Sequence, residues 1–246
     1  MSFKKIIFCF MSITFMRQAY ADNSALALLK ESDRGRGGIV EGLQWTAEVE
    51  TIEKGDSSTR EFIIKAKADN AYVEATVPAR NKGEVFLFND RNMWFFKPNL
   101  KKPVSISARQ KLVGQAANGD IASTHYARDY TATIEKSETI DGQKTAVLML
   151  VAKNKNLTYD KIRYWIREKD KLAIKAEFLT LNGVVFKIAT IKYENTLSLN
   201  GKIFPFVSQL EIADAKYANN KSIIKYKNPK IINLADAIFN INNLTR

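Results

Sequence analysis

The stretch LQWTAEVE (Leu43–Glu50) alternates apolar and polar side chains without exception. Alternation with a period of two predicts a β-strand with one face buried and the other in solvent. The turn sequence KGDS (54–57) follows, and the next segment repeats the alternation with Phe62 and Ile64 on its apolar face. Two alternating segments joined by a glycine-containing turn predict a β-hairpin.

The same pattern extends through most of the chain. Further strands are predicted at 71–77, 84–88, 93–96 and 104–107, and from Tyr130 onward glycine- and asparagine-containing turns such as Asp141-Gly142 and Asn182-Gly183 recur at short intervals. Regular spacing of this kind indicates a meander of antiparallel strands. Because an open apolar sheet face invites aggregation, we expect the sheet to curve around its own apolar face and to be covered there.

Two segments break the strand pattern. Residues 23–33 have the apolar spacing of a short helix, and the GRGG sequence (35–38) after them predicts a helix stop and a flexible connection. Between 108 and 129, Gly114 and Gly119 interrupt the alternation, so we expect one or two short helices or a loop laid over the sheet as a lid. With no repeat or linker, residues 22–246 are predicted to form a single domain.

The first 21 residues have the order of a secretory signal peptide. Lys4 and Lys5 precede an apolar run, and Ala19-Tyr20-Ala21 ends it with a small-x-small cleavage pattern. The run is too short for a permanent anchor, and we expect no transmembrane segment in the mature chain. Since Cys9 is the only cysteine, the mature protein is predicted to work outside the cytoplasm without a thiol.

The net charge and the distribution of basic residues limit which kinds of partner the protein is expected to bind. The chain has 38 basic and 26 acidic residues, and loss of Lys4, Lys5 and Arg17 with the signal leaves 35 basic residues, a net charge of +9. These cations are scattered along strands and no stacking motif accompanies them, so nucleic acid is not expected as a partner. A solvated basic surface and attraction to anionic lipid headgroups or an acidic partner both remain open.

Candidate catalytic chemistry is sparse. His125 is the single histidine, the mature chain lacks cysteine, and no nucleophile elbow or glycine-rich phosphate loop occurs. We therefore expect no metal, no cofactor, no catalytic residues and no enzyme activity, and interpret His125 as a surface or lid histidine.

Aromatic side chains offer a binding hypothesis instead. The chain has 26 of them, many on predicted strands, and they either fill the core or line an apolar cavity inside the curved sheet. The residues predicted to line that cavity are Trp45, Val49, Phe62, Ile64, Trp94, Phe96, Trp165 and Phe178. The residues predicted to cover it from the lid are Leu112, Val113, Ile121 and Tyr126.

Several segments resemble one known family. The stretch NMWFFKP (92–98) with the basic LKKPVSIS (100–107), the insert GQAANGDIA (114–122) with YARDY (126–130), and the later YDKIRYW (159–165), KAEF (175–178) and AIFNINNL (237–244) are similar, in this order, to LolA-like outer-membrane lipoprotein-sorting proteins. Asp120 takes the place of an aspartate of that family.

The resemblance implies a half-open antiparallel β-barrel around a hydrophobic cavity with a helical lid, in the periplasm of a Gram-negative bacterium. It also implies lipid or lipoprotein acyl chains as cargo and an inner-membrane exporter of the resistance-nodulation-division (RND) type as a further partner. The competing hypothesis is a non-catalytic accessory subunit of an envelope exporter whose sheet interior is filled by its own side chains. The sequence sets neither the cargo nor the oligomeric state.

Overall fold

The computed structural model describes residues 23–122 and 125–245. This part of the chain is mainly β, with the following strands: β1 (Leu43–Glu53), β2 (Asp56–Lys67), β3 (Asn70–Val77), β4 (Val85–Asn89), β5 (Asn92–Phe96), β6 (Val104–Ile106), β7 (Lys111–Val113), β8 (Ala116–Ala117), β9 (Tyr130–Ile140), β10 (Gln143–Ala152), β11 (Lys161–Arg167), β12 (Ala173–Leu179), β13 (Val185–Lys192), β14 (Asn195–Leu199), β15 (Lys202–Phe206), β16 (Gln209–Asp214) and β17 (Lys221–Ile231). The predicted signal peptide lies outside the described residues.

Thirteen of these strands form one antiparallel sheet in the order β6-β5-β4-β3-β2-β1-β17-β16-β13-β12-β11-β10-β9. Its edges, β6 and β9, do not pair with each other, so the sheet curves without closing into a barrel. Side chains from both halves of the sheet nevertheless meet in one apolar cluster, which we call the concave core. The prediction of a curved antiparallel sheet is confirmed.

The first hairpin shows why the turn sequences were informative. Glu53 pairs with Asp56, and the two residues between them, Lys54 and Gly55, have φ angles of 54° and 91°. A two-residue turn with both φ values positive matches the right-handed twist of the flanking strands. Asp141-Gly142 repeats this geometry between β9 and β10.

Residues 23–34 are helical, as expected, and we call this helix α1. It packs on the concave core through Ala25 and Leu29, both fully buried. The β14–β15 hairpin lies outside the large sheet and contributes Phe206, whose ring centroid is 6.2 Å from that of Trp45.

The interruption at 108–129, called the lid segment below, contains more structure than expected. A two-stranded hairpin, β7–β8, precedes a 3-10 turn (Asn118–Ile121) and a four-residue helix, α2 (Tyr126–Asp129). The hairpin was missed because its strands are only two and three residues long, too short for a periodic signal. Gly114 makes its turn with φ of 55°.

The convex face of the sheet carries the polar side chains of the alternating strands. Lys227 Nζ lies 2.6 Å from Glu48 Oε2 and Lys225 Nζ lies 3.1 Å from Glu50 Oε2. Residues 232–245 pack on the same face over β4 and β5. Within the described part of the chain, none of the helices has the length and apolar character to cross a membrane.

Candidate functional site

The concave core is built from side chains of one parity on neighbouring strands. Cα registers place Trp45 opposite Ile64, Ile64 opposite Val73, and Val73 opposite Phe86, giving a continuous apolar row across β1 to β4. Trp45, Ile64 and Val73 are at most 1% exposed. Large apolar side chains at directly opposed positions pack against one another, so this row forms the floor of the core.

With Ile64, three further predicted cavity residues join this floor. Phe62, Ile64, Val49 and Phe178 all belong to the concave core and are at most 2% exposed. Phe178 stacks on Tyr159 with ring centroids 3.8 Å apart. The interior is therefore closely packed by the protein's own side chains in this closed arrangement.

The lid segment covers this floor without joining the large sheet. Its hairpin forms a separate two-stranded sheet, and Leu112, Ile121 and Tyr126 belong to the concave core, with Val113 packed partly against it. All four predicted lid residues thus lie at the interface between lid and sheet. No strand pairing joins the lid to the large sheet, so side-chain contacts hold it in place, together with a backbone hydrogen bond from Lys153 N to Asp129 O at 3.0 Å.

One anchor lies at the tip of the lid hairpin. Ser222 Oγ, fully buried on β17, accepts a hydrogen bond from Gln115 N at 2.8 Å and donates to Val113 O at 3.3 Å. Lys187 Nζ donates to Gln115 O at 2.6 Å. The lid hairpin lies so close to β17 that a Cβ built on Gly114 would lie 2.5 Å from Ser222 Oγ. A residue with a side chain would therefore collide with Ser222 at this position.

A second anchor holds α2. Asp33 Oδ2, at the end of α1, accepts a hydrogen bond from Ala127 N at 2.8 Å. The guanidinium of Arg36 lies 4.7 Å from the ring centroid of Tyr126 and donates to Tyr164 Oη at 3.2 Å. Both Asp33 and Arg36 are buried, so the segment 35–38 is not the flexible connection expected from its glycines. It places a cation beneath the lid.

Burial shapes the chemistry of the acidic groups under the lid. Desolvation raises the pKa of the Asp33 carboxyl to about 7, although the Ala127 N–H and the charge of Arg36 oppose the shift. Burial also raises the pKa of Asp120. Asp33 Oδ1 has no hydrogen-bond partner among the described residues. Protonation of Asp33 therefore relieves a buried charge near neutral pH.

Asp120 joins the lid to the β10–β11 connection. Its Oδ2 accepts hydrogen bonds from Tyr159 Oη and from Ala117 N, each at 2.8 Å. A Cβ built on the adjacent Gly119 would lie 3.0 Å from Thr158 Cβ. The residue that matched the family aspartate is thus a structural contact within the closed lid.

Three of the residues predicted to line the cavity point to the convex face of the sheet instead. On β5, Met93 and Phe95 pack on the concave core, so Trp94 and Phe96 point to the convex face, under Leu234 and Phe239. The sequence NMWFF is apolar at successive positions and left this parity open.

Trp165 is the third. On β11, Tyr164 lies on the concave side and Trp165 on the convex side. There Trp165 Nε1 donates a hydrogen bond to Glu138 Oε2 at 3.2 Å, and Lys175 Nζ lies 4.2 Å from the centroid of the Trp165 ring. The prediction that Trp94, Phe96 and Trp165 line the concave cavity was wrong.

His125 lies in the lid segment, directly before α2. Its Nε2 is 2.8 Å from the carbonyl oxygen of Ala68. Among the described residues, no three His, Cys, Asp or Glu side chains lie where they could hold a metal ion.

Open pockets occur away from the concave core. One of 620 Å³ lies at the β9–β10 and β11–β12 turns around Arg167, another of 640 Å³ lies beside Tyr217, and one of 470 Å³ lies on the convex face between Tyr72 and residues 237–244. None of these three is covered by the lid segment.

A curved sheet whose apolar face is closed by a separate lid defines a LolA-like protein, and comparison with known structures agrees. A LolA superfamily protein from Nitrosomonas europaea is 28% identical, with a TM-score of 0.79 over 89% of this chain and 98% of its own. A domain from Vibrio parahaemolyticus described as an outer membrane lipoprotein-sorting protein is 22% identical (TM-score 0.76; 92% of this chain, 100% of the other). A DUF1329 family protein from Desulfovibrio piger is 18% identical (TM-score 0.74; 91% and 99%).

The chain belongs to the family whose model, described as "Uncharacterized protein", matches residues 67–246. This match and the similar structures confirm the predicted LolA-like relationship. No curated protein matches the chain.

Proposed function

We propose that this protein is a periplasmic carrier or chaperone that holds an acyl chain of a lipid or lipoprotein between the concave core and the lid segment. The observation that supports the proposal is the lid itself. It covers the apolar face of a LolA-like sheet, yet no strand pairing joins it to that sheet, and individual hydrogen bonds and ion pairs, among them those of Ser222 and Asp33, hold it in place. A cover of this kind can separate from the sheet while the sheet stays folded.

The energetics favour such an exchange. Burial of one methylene contributes about 0.8 kcal/mol, so a chain with fourteen methylenes contributes roughly 11 kcal/mol before ordering costs. Each hydrogen bond that holds the lid contributes about 1 kcal/mol net. An incoming acyl chain therefore offsets the loss of the Ser222 and Asp33 contacts, and reclosure of the lid offers a route to release.

Locking the lid tests this mechanism. In the chain 22–246 with Gly119→Cys and Thr158→Cys, the built Cβ–Cβ distance of 3.0 Å is within about 1 Å of the spacing usual for disulfides. We expect the oxidised variant to take up a fluorescent fatty acid at least tenfold more slowly than the reduced variant. The single variant Thr158→Cys, under the same oxidant, is the matched control. Equal uptake in the oxidised and reduced double variant would contradict a lid-gated cavity.

The second candidate is the accessory subunit with a filled interior, and one observation favours it. Trp45, Phe62 and Ile64 are essentially inaccessible in the closed arrangement. That function requires no acyl binding and would act through an exporter of the RND type. This candidate would be favoured over the carrier by two results together: no fatty-acid binding by the reduced Gly119→Cys/Thr158→Cys variant, and retained cellular function of a Phe62→Trp variant.

A further inference from the structure

Five of the six strand connections at one end of the large sheet form a surface that the carrier hypothesis does not use. The sixth, 153–160, contacts the lid segment instead. We call the surface of five connections the basic rim, and it comprises residues 54–55, 78–84, 97–103, 180–184 and 215–220. The antiparallel registers place all five at the end where β1, β3, β5, β12 and β16 finish.

Neighbouring connections of the rim touch one another. A Cβ built on Gly83 would lie 3.4 Å from Pro98 Cγ, and Lys54 N donates to Asn220 Oδ1 at 2.9 Å. Ala215 N donates to Phe186 O at 3.1 Å, which joins the rim to the start of β13. The rim is therefore a continuous edge of the molecule.

The rim has a strong excess of positive charge. It contains one acid, Glu84, whose two oxygens are taken by Arg60 and Asn81 at 2.8 and 2.9 Å. Seven basic residues accompany it, and none of them forms an ion pair with any residue that the structure describes: Lys54, Arg80, Lys82, Lys97, Lys101, Lys102 and Lys216.

Nearby acids reduce this excess only slightly. Glu53 pairs with Lys111 at 2.9 Å, and Asp214 Oδ1 accepts from the backbone N–H groups of 216 and 217. Asp56 adds one exposed carboxylate at the start of β2.

The opposite end of the sheet has the reverse balance. Its connections at 68–69, 90–91, 141–142, 168–171 and 193–208 contain six acids and four bases. Positive charge is thus segregated to one end of the sheet, although basic residues are scattered along the sequence.

Exposed apolar side chains gather at the same end. Leu181 and Val184, at the β12–β13 turn, are 69% and 62% exposed, and Tyr217 is 57% exposed. Val77 and Val104, each one residue from the rim, are also exposed. Apolar side chains beside unpaired cations are the combination that binds the interface of an anionic bilayer.

We propose that the basic rim docks on a phospholipid surface with anionic headgroups, with Leu181 and Val184 entering the interface. The cations are long, exposed side chains spread over four turns, and a planar negative potential attracts all of them without requiring a shaped pocket. Each lysine near such a surface strengthens binding about fivefold. The docking does not depend on the acyl-carrier proposal.

Vesicle flotation tests the proposal with the chain 22–246. We expect the protein to float with vesicles of phosphatidylglycerol and phosphatidylethanolamine, and to be released when salt is raised from 0.05 to 0.5 M, because the attraction is screened. Lys101→Glu with Lys102→Glu should weaken the apparent binding at least 25-fold. Leu181→Ser with Val184→Ser should weaken the binding measured at 0.05 M salt, because these two side chains enter the bilayer interface.

The matched control is Lys169→Glu with Lys171→Glu, which makes the same charge change at the opposite end of the sheet. Equal losses in the rim and control variants would overturn the proposal, because net charge alone would then explain the binding. Failure to bind anionic vesicles at low salt would also overturn it, and capture of an acidic protein by the same lysines would then assign the rim to a protein partner. Fatty-acid uptake, unchanged in the Lys101/Lys102 variant, reports separately on the carrier function.

Discussion

Ser222→Ala should loosen the lid while leaving the sheet intact. Ser222 Oγ is the hydroxyl that accepts from Gln115 N and donates to Val113 O, and both partners belong to the lid segment. Removal leaves a shielded N–H without this acceptor, at a cost of about 1–3 kcal/mol. Since this cost falls on the closed lid, the open population should rise roughly 5- to 150-fold.

Hydrogen exchange and probe uptake measure this effect. Backbone amides of the lid hairpin should exchange faster by that factor, amides of β1 and β2 should keep their protection against local opening, and uptake of a fluorescent fatty acid should accelerate. Ser208→Ala is the matched control, because Ser208 Oγ likewise accepts a backbone N–H, that of Glu194 at 3.1 Å, away from the lid. The reasoning is refuted if both variants change lid exchange and uptake equally.

Three further predictions concern Asp33 beneath the lid, Phe62 in the concave core and Trp94 on the convex face. The pKa of Asp33 is about 7 in the folded protein and 3.8 as its ordinary value, so between these pH values the folded state holds a proton that the unfolded state has lost. The free energy of unfolding should therefore fall as pH rises from 4 to 7. In urea titrations, the Asp33→Asn variant should show a weaker dependence of this free energy on pH. Phe62→Ala should cost about 3–5 kcal/mol in urea unfolding and should alter fatty-acid affinity, because the residue is fully buried in the concave core. Trp94→Ala should lower the thermal midpoint yet leave fatty-acid affinity unchanged, since its ring packs under residues 232–245 on the convex face; a loss of affinity would contradict its placement.

The floor of the site was predictable where side chains alternate. In β1 and β2 the polar partners of Trp45, Val49, Phe62 and Ile64 fix which face is buried, and the structure agrees. In NMWFF no polar residue marks the solvent face, so the orientation of Trp94 and Phe96 depends on the C-terminal segment that covers them. That contact is formed by residues about 140 positions away in the sequence and leaves no local pattern.

The lid anchors were not predictable for a related reason. Arg36 lies in a glycine-rich segment that is typical of a flexible connection, and only the folded chain brings it to Tyr126 and Tyr164. The sequence around Ser222 is that of any β-strand, and the contact with Gly114 forms only in the folded chain. Glycines at 114 and 119 gave the one available signal, since both permit close contact of the lid with the sheet or its connections.

Native mass spectrometry of the protein purified gently from its own cells tests the central claim most directly. The carrier account predicts a bound species with the mass of a lipid or an acylated peptide, and its displacement by added fatty acid. Protein that is free of ligand, and that also remains free when the Ser222→Ala variant is mixed with fatty acid, would contradict it.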